Sequence, residues 1–109
     1  MSDLKDITNA LLKFRNDRDW SQFHNPKDLA IALNLESSEL LELFLWKSAE
    51  EADQECIKEE LADVLAFAFL IANKYNFDIK KIMLDKIKKN ALKYPVNKAK
   101  GNAKKYTEL

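Results

Sequence analysis

The sequence predicts an all-α protein with a four-helix bundle-like fold. One glycine and two prolines in 109 residues leave few turn residues for a sheet. Apolar residues instead recur at intervals of three and four, the period of an amphipathic helix. The length favours one domain, which we place at residues 1–95, followed by a lysine-rich tail at 96–109.

The first predicted helix runs from about Ser2 to Arg18, with Asp3 near its cap. Its apolar face comprises Leu4, Ile7, Leu11 and Phe14. Residues 19–25 form a short loop rich in aromatic residues.

The second predicted helix begins at Pro26, a residue favoured in the first turn, with Asn25 as its N-cap. It is expected to last to Trp46 or Lys47. Ser48 then caps the third helix, and Glu51 completes a capping-box pattern three residues later.

The third predicted helix is apolar on all faces over residues 64–72, so it should be the central and most buried element. A chain of this size covers such a helix poorly, which predicts a homo-oligomer. Residues 76–78 break the helix, and a fourth runs from Asp78 to about Lys93, ended by Pro95. The tail at 96–109 is expected to become ordered against a partner subunit.

Composition excludes several functions. The formal net charge is zero, which argues against a nucleic-acid or membrane partner. A single cysteine, Cys56, cannot form an internal disulfide, and the chain shows neither a signal-peptide pattern nor a run long enough to span a membrane. We therefore expect a cytoplasmic protein.

Two pairs of carboxylates lie inside apolar helical stripes. Glu36 and Glu39 lie among the leucines of the second helix, and Glu60 and Asp63 share a face of the third helix with Phe67. Burying unpaired carboxylates is costly, so the pattern predicts a shared cation. Ligands that are all oxygen select Mg²⁺, with Mn²⁺ as a substitute. Periodicity alone leaves Glu59 as an alternative to Glu60.

Aromatic residues lie near both ends of the second helix. Trp20, His24 and Trp46 each belong to a type that more often fills a core, but together they could form a pocket that stacks on a nucleobase. Lys86 and Asn90 share a face of the fourth helix and could contact phosphates. The alternative is a non-catalytic helical interaction module, in which the carboxylates form a buried network with Lys86 and Asn90.

Three segments carry a family resemblance: FRNDRDWSQFHNPKDLAIALNLESSELLELFLWK, EELADVLAF and KIKKNALKYPVNKAKG. They resemble the MazG-like all-α nucleoside triphosphate pyrophosphohydrolases, most closely the dCTP pyrophosphatase branch. The resemblance implies Mg²⁺ ligands at Glu36, Glu39, Glu60 and Asp63, and so selects Glu60 over Glu59. It also implies homodimers or homotetramers whose sites borrow residues from a neighbouring subunit.

The resemblance further implies which residues bind substrate. Trp20, His24 and Trp46 match positions that enclose base and sugar, and Lys86 and Asn90 match positions that approach the phosphates. The chain departs from the family pattern at Leu35 and Ser38, where relatives often have glycine. Phe67 stands in the pocket where relatives can carry tyrosine, so the chain lacks that hydroxyl.

We therefore expect a Mg²⁺-dependent house-cleaning enzyme. It would split a deoxynucleoside triphosphate, dCTP or a modified form of it, into the monophosphate and pyrophosphate. A water would attack the α-phosphorus, with Glu39, or else Glu36, as the base that orients it.

Overall fold

The computed structural model describes residues 2–109, and all secondary structure within that range is helical. This confirms the predicted all-α class and its four main helices. The chain divides into two compact units, one ending at Phe77 and the other spanning Asp78–Leu109. No helix among these residues is long and apolar enough to cross a membrane.

The first helix, α1, spans Asp3–Asp17 and matches its predicted range. Its cap is Ser2 rather than Asp3, because the Ser2 hydroxyl accepts a hydrogen bond from the Lys5 N–H. The loop that follows contains one 3₁₀ turn, Ser21–Phe23.

The second helix, α2, spans Pro26–Glu42 and begins as predicted, with the Asn25 side chain accepting from the Asp28 N–H at 2.9 Å. The predicted end at Trp46 or Lys47 is wrong by about a turn. After Glu42 the backbone tightens into bonds between residues three apart, such as Phe44 N–H to Leu41 O. Trp46 then adopts φ 60°, which ends the turns that follow the helix.

The predicted capping box forms, but it encloses only the 3₁₀ turn Ala49–Glu51. The next helix, α3, spans Gln54–Lys74 and is capped by Asp53, so the predicted start at Ser48 is wrong. The physical reason is Ala52, which is buried and has extended backbone angles that separate the turn from the helix.

In the first unit, α3 packs against both α2 and α1. Four apolar residues of the described chain are buried: Leu29, Ala52, Leu70 and Ala72. Two of them belong to α3, as expected of a central helix. The same helix nevertheless leaves Leu61 and Leu65 nearly half exposed.

In the second unit, α4 spans Ile79–Lys93, close to its predicted range, and Asp78 is its N-cap. A short helix, α5, follows at Val96–Ala99, and a 3₁₀ turn at Tyr106–Glu108. The Tyr94 and Tyr106 rings pack edge to face with centroids 6.1 Å apart, so the end of the tail contacts the end of α4.

Candidate metal centre and its surroundings

The packing of α2 against α3 brings two carboxylate pairs to one helix interface. Glu36 and Glu39 lie one turn apart on α2, and Glu60 and Asp63 lie one turn apart on α3. Residues three apart on a helix share a face, so each pair points to one side of its helix.

Three of these four carboxylates form a compact group. Glu36, Glu60 and Asp63 each offer one oxygen, and the three oxygens lie within 4.8 Å of one another. Glu36 and Glu60 are half-buried, whereas Asp63 is exposed. Glu39 lies outside this three-oxygen group but beside it, as its effect on neighbouring pKa values shows. Glu59 is exposed and lies outside the group.

The carboxylates raise one another's affinity for protons. Burial is the largest cause that raises the pKa of Glu36 to about 7, followed by the adjacent Glu39 carboxyl and repulsion from Asp63 and Glu60. Burial, and then Glu39, also raise the pKa of Glu60. A cation between these groups would remove the repulsion.

Two carboxylate oxygens in this group lack a protein partner. Glu36 Oε2 and Glu60 Oε2 are buried, and neither receives a hydrogen bond from any residue in the range 2–109. Unpaired buried oxygens of this kind are costly unless a ligand satisfies them. A set of carboxylate oxygens with unpaired lone pairs fits a hard divalent cation such as Mg²⁺.

His24 and Phe67 form an aromatic pair beside the carboxylates. Phe67 lies one turn after Asp63 on α3, and its ring centroid is 6.4 Å from that of His24. Burial, and then the positive charges of Arg15 and Lys74, lower the pKa of His24, which favours the neutral imidazole. His24 Nδ1 is buried with no hydrogen-bond partner in the part of the chain that the structure describes.

Trp20 follows α1 and packs against its last turn. Its ring is 5.8 Å from the Phe14 ring at an interplanar angle of 73°. The Arg18 guanidinium carbon lies 3.7 Å from the Phe14 ring centroid and 6.0 Å from that of Trp20. Trp20 remains 43% exposed, so part of its ring surface is free for a ligand.

Trp46 is 93% exposed, which rules out the interpretation of this residue as a core side chain. It borders an open, largely apolar groove of about 530 Å³. The groove is lined by Ser38, Leu41, Glu42, Phe44, Leu45 and Trp46. Ser38 donates its hydroxyl to Asn34 O at 3.1 Å, so this polar group is occupied within α2.

Lys86 and Asn90 belong to the second unit. They lie four residues apart on α4, which places them on one face, and both are exposed. Their side chains are therefore available to a ligand.

The helical pattern does not predict the contacts of Phe14 and Arg18 with Trp20. Periodicity places Phe14 on the apolar face of the first helix, and the structure shows it half exposed and in contact with Arg18 and Trp20. The spacing of Phe14 and Arg18 is nevertheless a signal in the sequence, because an aromatic residue and an arginine at i and i+4 are neighbours on a helix.

The named proteins to which this chain is similar are pyrophosphatases. The model of the MazG-like family matches residues 31–109. Proteins named dCTP pyrophosphatase 1 are similar over 97% of this chain, at 38% identity in Rattus norvegicus and 37% in Homo sapiens, and the match covers 67% of each protein. A crystal structure of a pyrophosphatase from Archaeoglobus fulgidus superposes with a TM-score of 0.80 at 30% identity, covering 87% of this chain and 94% of that one.

Proposed function

Because the chain belongs to the MazG-like family, we propose that it is a nucleoside triphosphate pyrophosphohydrolase with dCTP, or a modified form of it, as substrate. The observation that carries the proposal is the group formed by Glu36, Glu60 and Asp63, with two buried carboxylate oxygens unpaired among the described residues. The choice of dCTP rests on the similarity to proteins named dCTP pyrophosphatase 1.

Mg²⁺ is the proposed cofactor, with Mn²⁺ as a substitute, and Glu36, Glu39, Glu60 and Asp63 are its proposed ligands. The donor set supports this assignment because it consists of carboxylate oxygens alone. The bound ion would supply charge neutralisation for the triphosphate and acidify a bound water.

The protein residues would then arrange the hydrolysis. We assign Glu39 as the base that orients a water toward the α-phosphorus, with Glu36 as the second candidate. Attack would form a bond from the water oxygen to the α-phosphorus, break the bond from that phosphorus to the bridging oxygen, and release pyrophosphate. Lys86 and Asn90 are proposed to contact the phosphates, which their exposure on one face of α4 supports.

The base and sugar are proposed to lie against Trp20, His24, Trp46 and Phe67. Exposed ring surface on both tryptophans supports this, since a nucleobase stacks on an accessible aromatic face. Phe67 pairs with His24 and lies one turn from Asp63, which supports a place for both rings beside the carboxylates.

The active assembly is proposed to be a homodimer or homotetramer. Half-exposed leucines on α3, Leu61 and Leu65, support an interface with another copy of the chain. The tail at residues 96–109 is proposed to complete its packing in that assembly.

Pyrophosphate release from a panel of common and modified deoxynucleoside triphosphates tests the proposal. The expected result is Mg²⁺-dependent release of pyrophosphate and monophosphate, best with a cytosine nucleotide and abolished by EDTA. The absence of pyrophosphate from every triphosphate, with Mg²⁺ or Mn²⁺, would contradict the proposal and favour a non-catalytic interaction module.

A further inference from the structure

Phe14 is an aromatic residue that contacts the segment following its own helix. It lies in the last turn of α1 and is 50% exposed. Its ring lies against two residues that follow in the chain, the guanidinium of Arg18 and the ring of Trp20. Phe14 therefore connects the last turn of α1 to the segment that follows the helix.

Arg18 is held in place by two contacts with the same residue. Its guanidinium carbon lies 3.7 Å from the Phe14 ring centroid, and its Nη1 donates to the Phe14 carbonyl at 2.9 Å. That carbonyl belongs to the last turn of α1, where the helix offers no N–H partner. No carboxylate lies within ion-pair distance of Arg18 in residues 2–109. A planar guanidinium makes both contacts at once, which a lysine ammonium does less well.

The backbone between Arg18 and Trp20 forms a tight turn. Asp19 adopts φ 55°, and the Trp20 N–H donates to Arg15 O at 3.1 Å. Gln22 Nε2 donates to both Asp19 O and Asp19 Oδ2, at 3.0 and 3.1 Å. These bonds set where the Trp20 side chain begins, but the orientation of its ring depends on what the ring packs against.

We propose that Phe14 and Arg18 are positioning residues, which hold the Trp20 indole in the orientation that stacks on the nucleobase. This inference rests on the proposed function and deepens it. A ring that is already ordered loses less conformational freedom when the ligand binds, so the contacts of Phe14 and Arg18 with Trp20 strengthen substrate binding. The proposed phosphorus chemistry takes place at the carboxylates, so these contacts leave the rate of the chemical step unchanged.

The test compares Phe14→Leu and Arg18→Gln with wild-type protein in the dCTP assay. The expected result is a ~3- to 10-fold rise in KM, the range for losing one aromatic or cation–π contact, with kcat within about twofold. Phe14→Tyr keeps the ring and should restore the wild-type KM. Lys13→Gln is the matched control, because it removes an exposed cation from α1 whose ion pair, with Asp17, involves no ring.

Fluorescence gives a readout that does not depend on catalysis. In a Trp46→Phe background Trp20 is the remaining tryptophan, and Phe14→Leu or Arg18→Gln should lower its anisotropy while Lys13→Gln does not. An unchanged KM in both Phe14→Leu and Arg18→Gln, or a loss confined to kcat, would overturn the positioning role. An unchanged Trp20 anisotropy in both Phe14→Leu and Arg18→Gln would by itself refute that these residues hold the ring. If the wild-type protein released no pyrophosphate, the proposed function would be overturned instead.

Discussion

Glu36 on α2 and Glu60 on α3 place carboxylate oxygens within 4.8 Å of each other, although the two residues are 24 positions apart in the chain. Each also has a second oxygen that is buried and unpaired among the described residues. The contact between α2 and α3 therefore concentrates negative charge at one point. A cation bound at this point would remove the repulsion, whereas a carboxylate left there without one gains affinity for protons.

Amide substitutions at the carboxylates test the metal site. Glu60→Gln and Asp63→Asn keep the side-chain volume but remove an anionic ligand. Loss of a residue that only hydrogen-bonds a metal ligand costs ~10- to 100-fold in activity, so loss of a ligand itself should lower activity by more than ~100-fold. Circular dichroism should show an unchanged helix content. Glu59→Gln is the matched control, because Glu59 is the exposed neighbour outside the group. Full activity in Glu60→Gln would contradict the assignment.

The raised pKa of Glu36 predicts how the stability of the metal-free protein depends on pH. Because the pKa of this carboxyl is raised from an ordinary 4.5 to about 7 in the folded state, its contribution to folding stability is fully present below pH 4.5 and is lost as the pH rises through 7. In EDTA at pH 8, Glu36→Gln should raise the melting temperature by ~4 to 8 °C, the shift that about 1 kcal/mol produces in a domain of this size. This energy is smaller than the pKa change alone would give, because solvent screens a carboxyl that is only half-buried. At pH 4.5 the two proteins should melt together. A difference in melting temperature that is equal at both pH values would contradict the titration of Glu36 as its cause.

Aromatic truncations test the nucleobase pocket. Trp46 is 93% exposed, so Trp46→Ala should change the free energy of unfolding by no more than ~0.5 kcal/mol, as is usual at the surface. Trp46→Ala, Trp20→Ala and His24→Ala should each raise KM or alter the order of preference in a panel of deoxynucleoside triphosphates. If all three variants keep the wild-type order and KM, the base binds elsewhere.

Light scattering tests the assembly. We expect at least a dimer at micromolar concentration, because Leu61 and Leu65 leave apolar surface on the central helix uncovered within one chain. Leu65→Glu introduces a charge on that surface and should shift the distribution toward smaller species, with loss of activity if the site is shared. A fully active wild-type monomer would refute both the interface and the shared site.

The beginnings of α2 and α4 are predictable from the sequence because their causes are local. Asn25 and Asp78 each accept a hydrogen bond from an N–H three residues ahead, so the signal lies within one turn of sequence. The segment between α2 and α3 is less predictable. There Trp46 is left-handed and Ala52 is buried in an extended conformation, and neither follows from the residue's own preference.

By itself, the sequence determined the all-α class and the two helical pairs of carboxylates, because helical periodicity relates residues three and four apart whatever surrounds them. Periodicity did not decide between Glu59 and Glu60, and only the tertiary structure brings Glu36, Glu60 and Asp63 together with Glu59 outside, since that depends on how α3 is rotated against α2. The contact of Phe14 and Arg18 with Trp20 likewise depends on the backbone after the helix, because the left-handed turn at Asp19 brings Trp20 back toward the last turn of α1. The spacing of residues in the sequence determines which side chains share a face of a helix, but the packing of the helices determines which residues that face contacts.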